Sequence, residues 1–216
     1  TRLMGALIMS HSDDKGLVLP PKLAPIQVAI VPIYKGEEQL KLISELAFTL
    51  VKQLKENGVA VKFDDDDAKK PGWKFAEYEL KGVPLRIAIG PKDLEKGTVE
   101  IARRDNLTKQ FIKQEDVVSK VQTLLHQIQE DLFKKAVSFN EANSHEASSV
   151  DEMNEILNKD GGFVYAFWDG KKETELKIKD LTKATIRCIP EGEPTIGKCI
   201  LTGSEDAIKV VFARAY

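Results

Sequence analysis

The chain has 216 residues, of which 42% are hydrophobic and 31% are charged. Domains commonly run about 100–200 residues, so this length allows one large core or two modest ones. The formal net charge of −2 argues against bulk attraction to nucleic acid, which would need a local basic patch. The two cysteines, Cys188 and Cys199, do not make a disulfide framework. The apolar run 6–9 is too short for a membrane span or a signal peptide, and we interpret the chain as a piece of a soluble cytoplasmic protein.

The N-terminal third of the chain alternates between strand and helix patterns. Residues 5–9 form a short apolar run that predicts a buried strand, and turn-forming prolines follow it at residues 20 and 21. Residues 26–33 are β-branched and apolar nearly throughout, as in a strand covered on both faces. An amphipathic helix follows, with apolar residues at three- and four-residue steps: Leu40, Ile43, Ala47, Leu50, Val51 and Leu54. Residues 59–63 predict a second strand, parallel to the first.

The middle of the chain continues this alternation. A short helix is predicted at residues 73–81, where Pro71 precedes it and Gly82 with Pro84 ends it. Further strands are predicted at residues 85–89, 98–102 and 111–112. A second long helix then has one apolar stripe: Val117, Val121, Leu124, Leu125, Ile128, Leu132 and Ala136. The pattern predicts an α/β fold with a mixed five-stranded sheet and flanking helices.

A small α+β domain is predicted to end the chain. The polar residues 140–148 indicate the boundary before it. Ser149 and Glu152 fit a capping box, which begins a helix that the glycines at 161 and 162 end. Strands are predicted at residues 163–168, 184–189 and 209–214, with a helix at residues 173–181. This part has about 75 residues and would be only marginally stable on its own core.

One short segment combines cations, carboxylates and aromatic rings. A helix at residues 73–81 would place Phe75 and Glu79 one turn apart on the same face. A ring can stack on an unpaired base, which contributes about 1–3 kcal/mol, and a carboxylate or cation can contact a base edge. Glu79 suits the N–H donors of guanine, and Arg86 or Lys92 suits its acceptors. In the alternative interpretation, Phe75 belongs to the core, Glu79 pairs with Arg86, and Lys92 is solvated; spacing alone favours this second view.

The same segment carries a family resemblance. Residues 74–86 contain the pattern Lys-Phe-x-x-x-Glu-Leu-Lys-Gly-Val-Pro-x-Arg, which resembles the anticodon-binding domain of the archaeal and eukaryotic type of prolyl-tRNA synthetase, a class II enzyme. The resemblance extends from the Thr-Arg-Leu at residue 1 to the C-terminal tyrosine. It implies that this portion binds the two guanines of the proline anticodon.

The resemblance implies a role for each matching side chain. Phe75 would stack on a base, Glu79 and Arg86 would contact guanine edges, and Lys92 would contact the same bases. Lys109, which follows the loop at residues 106–108, is a further candidate for a contact with the anticodon. The cations at residues 103 and 104 would serve phosphate contacts or structural ion pairs. One departure is the run of aspartates at residues 64–66, where the family often has Asp-Asp-Arg, so any contact made by that arginine is absent.

The N-terminal residues resemble motif 3 of class II synthetases. Arg2 matches the arginine that binds the ATP phosphates in that motif, with Mg²⁺ expected beside the nucleotide in the parent enzyme. The rest of the ATP and proline site belongs to other residues of such an enzyme, so we expect no catalytic residue and no adenylation from this chain alone. No P-loop or dinucleotide-binding motif is present in the sequence.

The C-terminal part resembles the final domain of these synthetases, in which four cysteines commonly hold a structural zinc. The matching positions here are Asp169, Thr174, Cys199 and Thr202. A structural zinc site needs four closed nitrogen or sulfur ligands, so we expect no zinc. Apolar packing by the aromatic residues of the strand at 163–168 is expected to replace it. Tyr216 matches a terminal tyrosine of the family whose carboxylate reaches toward the catalytic domain.

These inferences combine into one prediction for the whole chain. Residues 1–24 would be a remnant of the catalytic domain and a linker, residues 25–140 an anticodon-binding domain, and residues 141–216 a zinc-domain-like module without zinc. The parent protein would be a cytoplasmic, homodimeric proline–tRNA ligase that binds proline tRNA and uses ATP. An alternative is a free-standing α/β RNA-binding or interaction protein without aminoacylation. A small-molecule enzyme is a third possibility, but it lacks a convincing nucleophile or general-base pair.

Overall fold

The computed structural model describes residues 2–215. The chain divides into two compact units, Thr1–Ala136 and Val137–Tyr216. Among the described residues, no helix has both the length and the apolar character needed to cross a membrane.

The first unit alternates helices and strands, as the sequence predicts. Its elements in chain order are α1 (Arg2–Ser10), β1 (Ser12–Asp13), β2 (Gly16–Leu17), β3 (Val28–Pro32), α2 (Glu37–Glu56), β4 (Val61–Phe63), α3 (Pro71–Leu80), β5 (Leu85–Ile89), α4 (Pro91–Lys96), β6 (Thr98–Arg103), β7 (Lys109–Lys113), a 3-10 turn (Gln114–Asp116) and the beginning of α5 (Val117–Ala142). The sequence did not predict α4, which begins at a proline and ends at Gly97 with a left-handed backbone.

The main sheet has five strands in the order β4-β3-β5-β6-β7, while β1 and β2 form a separate hairpin. Strands β3, β4 and β5 are parallel, and β6 and β7 are antiparallel to their neighbours. The predicted mixed five-stranded sheet is therefore confirmed. Its register aligns Arg86 with Ala102 on β6, which in turn lies beside Lys109 on β7.

Helices cover the two faces of this sheet unequally. On one face, apolar residues of α2 and α5 pack against alternate residues of β3, β5 and β6, in a core that includes Ile30, Ile43, Leu50, Leu54, Ile87, Ile101, Val121 and Ile128. On the other face, α3 brings Tyr78 over Ala29 and Val31 of β3. The period-two alternation of a strand explains this division, because successive side chains point to opposite faces.

Helix α3 ends at a turn where the backbone at Gly82 lies close to the backbone of Leu17 on β2. Gly82 has φ = +71°, and a Cβ atom there would lie 2.7 Å from the backbone of Leu17. Glycine tolerates this left-handed conformation without steric cost, and it leaves space for strand β2. The turn therefore fixes where β5 begins, and with it the position of Arg86.

One prediction about secondary structure is wrong. Residues 5–9 belong to helix α1, which has no buried residue, and not to a buried strand. A short apolar run cannot be assigned by periodicity alone, and among the described residues no strand pairs with this segment. Helix α5 continues into the polar residues 140–148 as far as Ala142, and a strand follows at Ser144–Glu146.

The second unit is a small α+β structure, as predicted. It contains β8 (Ser144–Glu146), α6 (Val150–Lys159), β9 (Phe163–Trp168), α7 (Lys172–Thr182), β10 (Ala184–Cys188), β11 (Ile196–Gly197) and β12 (Ala207–Arg214). The sheet order is β10-β12-β9-β8, with β11 also pairing to β12. Ser149 caps α6 by accepting from the Glu152 N–H at 3.1 Å. The Glu152 carboxylate accepts from the Ser148 N–H, one residue before the position that a capping box predicts.

Candidate nucleic-acid interface

A small pocket lies between α3 and the neighbouring strands β5 and β6. Helix α3 contributes Phe75, Tyr78 and Glu79, and β5 contributes Arg86; the remaining lining residues are Val83, Ala102, Arg103 and Arg104. The structure therefore brings together three of the side chains that the sequence singles out: Phe75, Glu79 and Arg86. Their spacing follows from the helix period and from the turn at Gly82.

Arg86 is the central residue of the pocket and is 95% buried, with 5% of its surface exposed. Its guanidinium carbon lies 3.5 Å from the centroid of the Phe75 ring. One terminal nitrogen, Nη2, is 3.4 Å from the Glu100 carboxylate. The other, Nη1, is buried and has no hydrogen-bond partner among the described residues. A buried donor without a partner costs about 1–3 kcal/mol, so a ligand that reached Nη1 and accepted its hydrogen bond would remove this cost.

Burial and the neighbouring carboxylates act in opposite directions on the pKa of Arg86. Burial lowers the pKa of Arg86, while the carboxylates of Glu100 and Glu79 raise it. An arginine side chain stays charged in proteins despite such a shift. The pocket therefore presents a cation with little hydration beside a carboxylate, Glu79, that is only half-buried.

The structure combines features of the two interpretations of this segment. Phe75 is half-buried and packs with the α3 side of the sheet, as the core interpretation predicts. Arg86, however, forms its ion pair with Glu100 and not with Glu79. The arginine also covers the Phe75 ring, so a base that stacks on Phe75 would have to share the ring with the guanidinium or displace it.

The two candidate lysines lie outside the pocket lining. Lys109 is exposed at the beginning of β7, in the same row as Arg86 and on the far side of Ala102. Lys92 is exposed in the first turn of α4, just after β5 ends. Lys109 thus adds a positive charge to the row of residues that runs across the sheet from Arg86, whereas Lys92 lies near the opposite end of β5.

Arg103 and Arg104 serve in structural ion pairs. Arg103 pairs with Asp105 and Asp131, both at 2.7 Å. Arg104 donates to both carboxylate oxygens of Asp13, at 2.6 and 2.7 Å, and this contact lowers the pKa of Asp13 to about 2. Of the two roles left open by the sequence, structural ion pairing is the one observed.

Sequence reasoning missed several residues that shape this site. Lys74 is buried beside Asp64 and anchors α3, and Glu100 is the ion-pair partner of Arg86. Phe111 is exposed on the same sheet face as Lys109. The alternating pattern of residues 109–113 could have revealed Phe111, because Ile112 must face the core and Phe111 must then face away from it.

Of the two candidates at the chain ends, Arg2 does not line this pocket. Arg2 is exposed at the start of α1, a helix that has no buried residue. Tyr216 lies outside the described residues.

The four positions that match zinc ligands do come together in the second unit. The Asp169 carboxylate accepts hydrogen bonds from Thr174 at 3.0 Å and from Thr202 at 3.1 Å. Burial raises the pKa of Cys199, but hydrogen bonds from Thr202 and from nearby backbone N–H groups outweigh burial and lower it. One thiol, one carboxylate and two hydroxyls do not fit the donor set of a structural zinc. In residues 2–215, moreover, His, Cys, Asp and Glu form no cluster of three or more that could bind a metal ion.

Hydrogen bonds join the polar side chains at these positions, while Trp168, Ile200 and Leu201 next to them pack against the hydrophobic core of the second unit. Hydroxyl groups of two threonines satisfy one carboxylate, and Cys199 is 3% exposed beside them. Polar groups that hydrogen-bond to one another can hold a turn without the cost of unsatisfied donors.

Comparison with known families agrees with the geometry of both units. Residues 27–124 match the family model of the anticodon binding domain, and residues 150–216 match that of the prolyl-tRNA synthetase C-terminal region. The first match contains the whole five-stranded sheet and the pocket. The fold and the pocket thus define part of an aminoacyl-tRNA synthetase.

Individual relatives give the narrower family. The chain is 61% identical to a proline–tRNA ligase of Christiangramia forsetii, 57% to that of Porphyromonas gingivalis and 56% to that of Flavobacterium johnsoniae. Each match covers 100% of this chain and 44% of the relative, so the chain spans less than half the length of these proteins. The chain belongs to the prolyl-tRNA synthetase family, as its resemblance to that family predicts.

Proposed function

We propose that this chain recognises the anticodon of proline tRNA, as the C-terminal part of a proline–tRNA ligase. The observation that carries the proposal is the buried Nη1 of Arg86, which has no hydrogen-bond partner within residues 2–215 and lies beside Glu79 in the pocket lining. A guanine has acceptors at O6 and N7 and donors at N1 and N2. Arg86 can donate to the first pair and Glu79 can accept from the second, so the pocket complements guanine on both counts.

The free energies of the individual contacts favour guanine over other bases. A well-aligned contact to a base edge discriminates by about 1–3 kcal/mol. A site with a buried polar group rejects a base that leaves this group unpaired, because the desolvation cost is then not compensated. Adenine presents a donor at N6 in place of O6, so it would leave Arg86 without an acceptor there. The cation–π contact with Phe75 holds the guanidinium plane in place, and such contacts contribute about 0.5–2 kcal/mol.

The proposal for the whole protein follows its relatives. Residues 1–24 would belong to a catalytic domain, where Arg2 would bind the ATP phosphates with Mg²⁺. Residues 25–140 would form the anticodon-binding domain, with Lys92 and Lys109 as additional anticodon contacts. Residues 141–216 would form the C-terminal module, with Tyr216 docking toward the catalytic domain. The intact enzyme would act as a cytoplasmic homodimer, and this chain alone would not activate proline.

Fluorescence anisotropy with an anticodon stem-loop tests the proposal. The 216-residue chain is titrated with a labelled proline anticodon stem-loop and with a version in which both anticodon guanines are replaced. Salt is held constant, because phosphate contacts dominate the raw affinity. We expect tighter binding to the guanine-containing RNA, and a loss of this preference in Glu79→Ala and Arg86→Ala.

Glu77→Ala is the matched control. Glu77 lies on the same helix, but its carboxylate pairs with Lys69 and Lys81 and does not line the pocket. This variant should keep the preference for guanine. Equal binding of the two RNAs by the unmodified chain would contradict the proposal and would favour a free-standing interaction protein.

A further inference from the structure

One large aromatic side chain stands exposed on the sheet face that carries the pocket. Phe111, in the middle of β7, is 67% exposed. Its neighbours in sequence alternate: Ile112 packs into the core, and Lys109 and Lys113 are exposed on the same side as Phe111. A single exposed ring between two cations is not part of a continuous apolar patch, so it does not suit an apolar protein surface.

The strand register locates Phe111 relative to Arg86. Glu100 on β6 lies between Ala88 on β5 and Phe111 on β7, one row along the sheet from the Arg86 row. With strands about 4.8 Å apart and a rise of about 3.3 Å per residue, the two positions are about 12 Å apart. One nucleotide base cannot contact both side chains, but one RNA strand crossing the sheet can.

Positive charge borders this path at both ends. Lys109 lies in the Arg86 row, and Lys113 lies opposite Thr98, one row beyond Phe111. Lys113 is 3.4 Å from Glu115, but both side chains are more than 70% exposed, and exposed pairs of this kind contribute little. Lys113 can therefore exchange this partner for a phosphate group.

We propose that Phe111 stacks on a second base of the RNA loop, outside the guanine that the Arg86 pocket holds. The inference rests on the proposed function and extends it from a pocket to a path over β6 and β7. An exposed ring accepts any base, because every base has a π-face. Phe111 would therefore add affinity and orient the loop, while the pocket selects guanine.

The test uses Phe111→Ala, Phe111→Trp and the control Phe133→Ala. Phe133 is 69% exposed, close to the 67% of Phe111, but it lies on α5, which covers the opposite face of the sheet. We expect Phe111→Ala to weaken binding of the stem-loop by about 5- to 150-fold, the range that corresponds to one base–aromatic stack. Phe111→Trp should preserve binding, and Phe133→Ala should change it less than twofold.

A fluorescent base identifies the stacked nucleotide. 2-Aminopurine is placed in turn at each loop position outside the anticodon guanines, and its quenching is measured on binding. One position should be quenched by the unmodified chain and by Phe111→Trp but not by Phe111→Ala. An abasic nucleotide at that position should weaken binding as much as Phe111→Ala, and the two changes together should cost no more than either one.

The outcomes separate this inference from the function on which it rests. If the unmodified chain prefers guanine but Phe111→Ala binds as tightly as Phe133→Ala, the stacking inference is overturned and the pocket stands. If the unmodified chain fails to bind the stem-loop, or binds both RNAs equally, both proposals are overturned. Circular dichroism spectra of Phe111→Ala that match the unmodified chain show that the variant is folded.

Discussion

Lys74 and Asp64 form a buried ion pair behind helix α3. The Lys74 Nζ lies 3.2 Å from an Asp64 carboxylate oxygen and 2.8 Å from the Asp64 carbonyl oxygen, and the Tyr78 hydroxyl donates to the same carboxylate at 2.9 Å. Burial raises the pKa of Asp64, but the hydrogen bonds from Tyr78 and Lys74 outweigh burial and lower it. On α3, Lys74 directly precedes Phe75 and Tyr78 directly precedes Glu79. The Lys74–Asp64 ion pair therefore holds in place the helix that presents the binding residues.

Lys74→Met should destabilise the first unit by about 3–5 kcal/mol, because it leaves the Asp64 carboxylate buried without its cation. Urea unfolding followed by circular dichroism measures the change. Lys52→Met, on the exposed side of α2, is the control and should stay within about 0.5 kcal/mol of the unmodified chain. Equal stability of the two variants would show that the pair does not hold α3.

Arg86→Lys should abolish most of the preference for guanine while keeping the positive charge. Lysine has neither the planar fork that contacts two acceptors nor the flat surface that covers Phe75. Anisotropy titrations at several salt concentrations should show a reduced ratio of affinities for the two RNAs and an unchanged salt slope. Lys109→Met should do the reverse, lowering the slope by about one with little effect on the ratio. Retained discrimination in Arg86→Lys would mean that charge alone selects the base.

The Asp13–Arg104 pair should make the first unit sensitive to acid. Hydrogen bonds from Arg104 lower the pKa of Asp13 from its ordinary value of 3.8 to about 2. A group whose pKa is lowered on folding stabilises the protein above its unfolded pKa, and this contribution is lost as the pH falls through its folded pKa. Between about pH 4 and pH 2, the thermal midpoint should therefore fall more in the unmodified chain than in Asp13→Asn.

Asp14→Asn provides the comparison for that measurement, since Asp14 is the exposed neighbour on the same turn. Its acid dependence should match that of the unmodified chain. Identical pH curves for Asp13→Asn and the unmodified chain would refute a stabilising role for this ion pair.

The chain should be isolated without zinc. Asp169, Thr174, Cys199 and Thr202 already meet, yet they offer only one thiolate. Elemental analysis of the purified chain should give far less than one zinc per molecule. The triple variant D169C/T174C/T202C, which supplies four thiolates at the same positions, should bind about one. About one zinc ion per molecule in the unmodified chain would contradict this prediction.

Periodicity was sufficient for the elements with long, regular patterns. The stripe from Val117 to Leu132 and the apolar run at 26–33 gave a helix and a buried strand, because burial imposes a period of 3.6 or two residues. Residues 5–9 failed this test, since five apolar residues fit either period. The strand at Ser144–Glu146 was missed because it is polar and is defined by pairing with β9 and not by burial.

The sequence by itself determined the family, the α/β order and three residues of the pocket: Phe75, Glu79 and Arg86. The family and the roles of these three residues follow from the resemblance, whereas their proximity follows from local spacing, which helix and turn geometry convert directly into closeness in space. The tertiary structure alone decided that Arg86 pairs with Glu100, that Lys74 is buried with Asp64, and that Phe111 lies on the same face of the sheet as the pocket. Each of these three relationships involves residues on different elements. It therefore depends on how the elements pack and on sheet order and register, which no local pattern encodes.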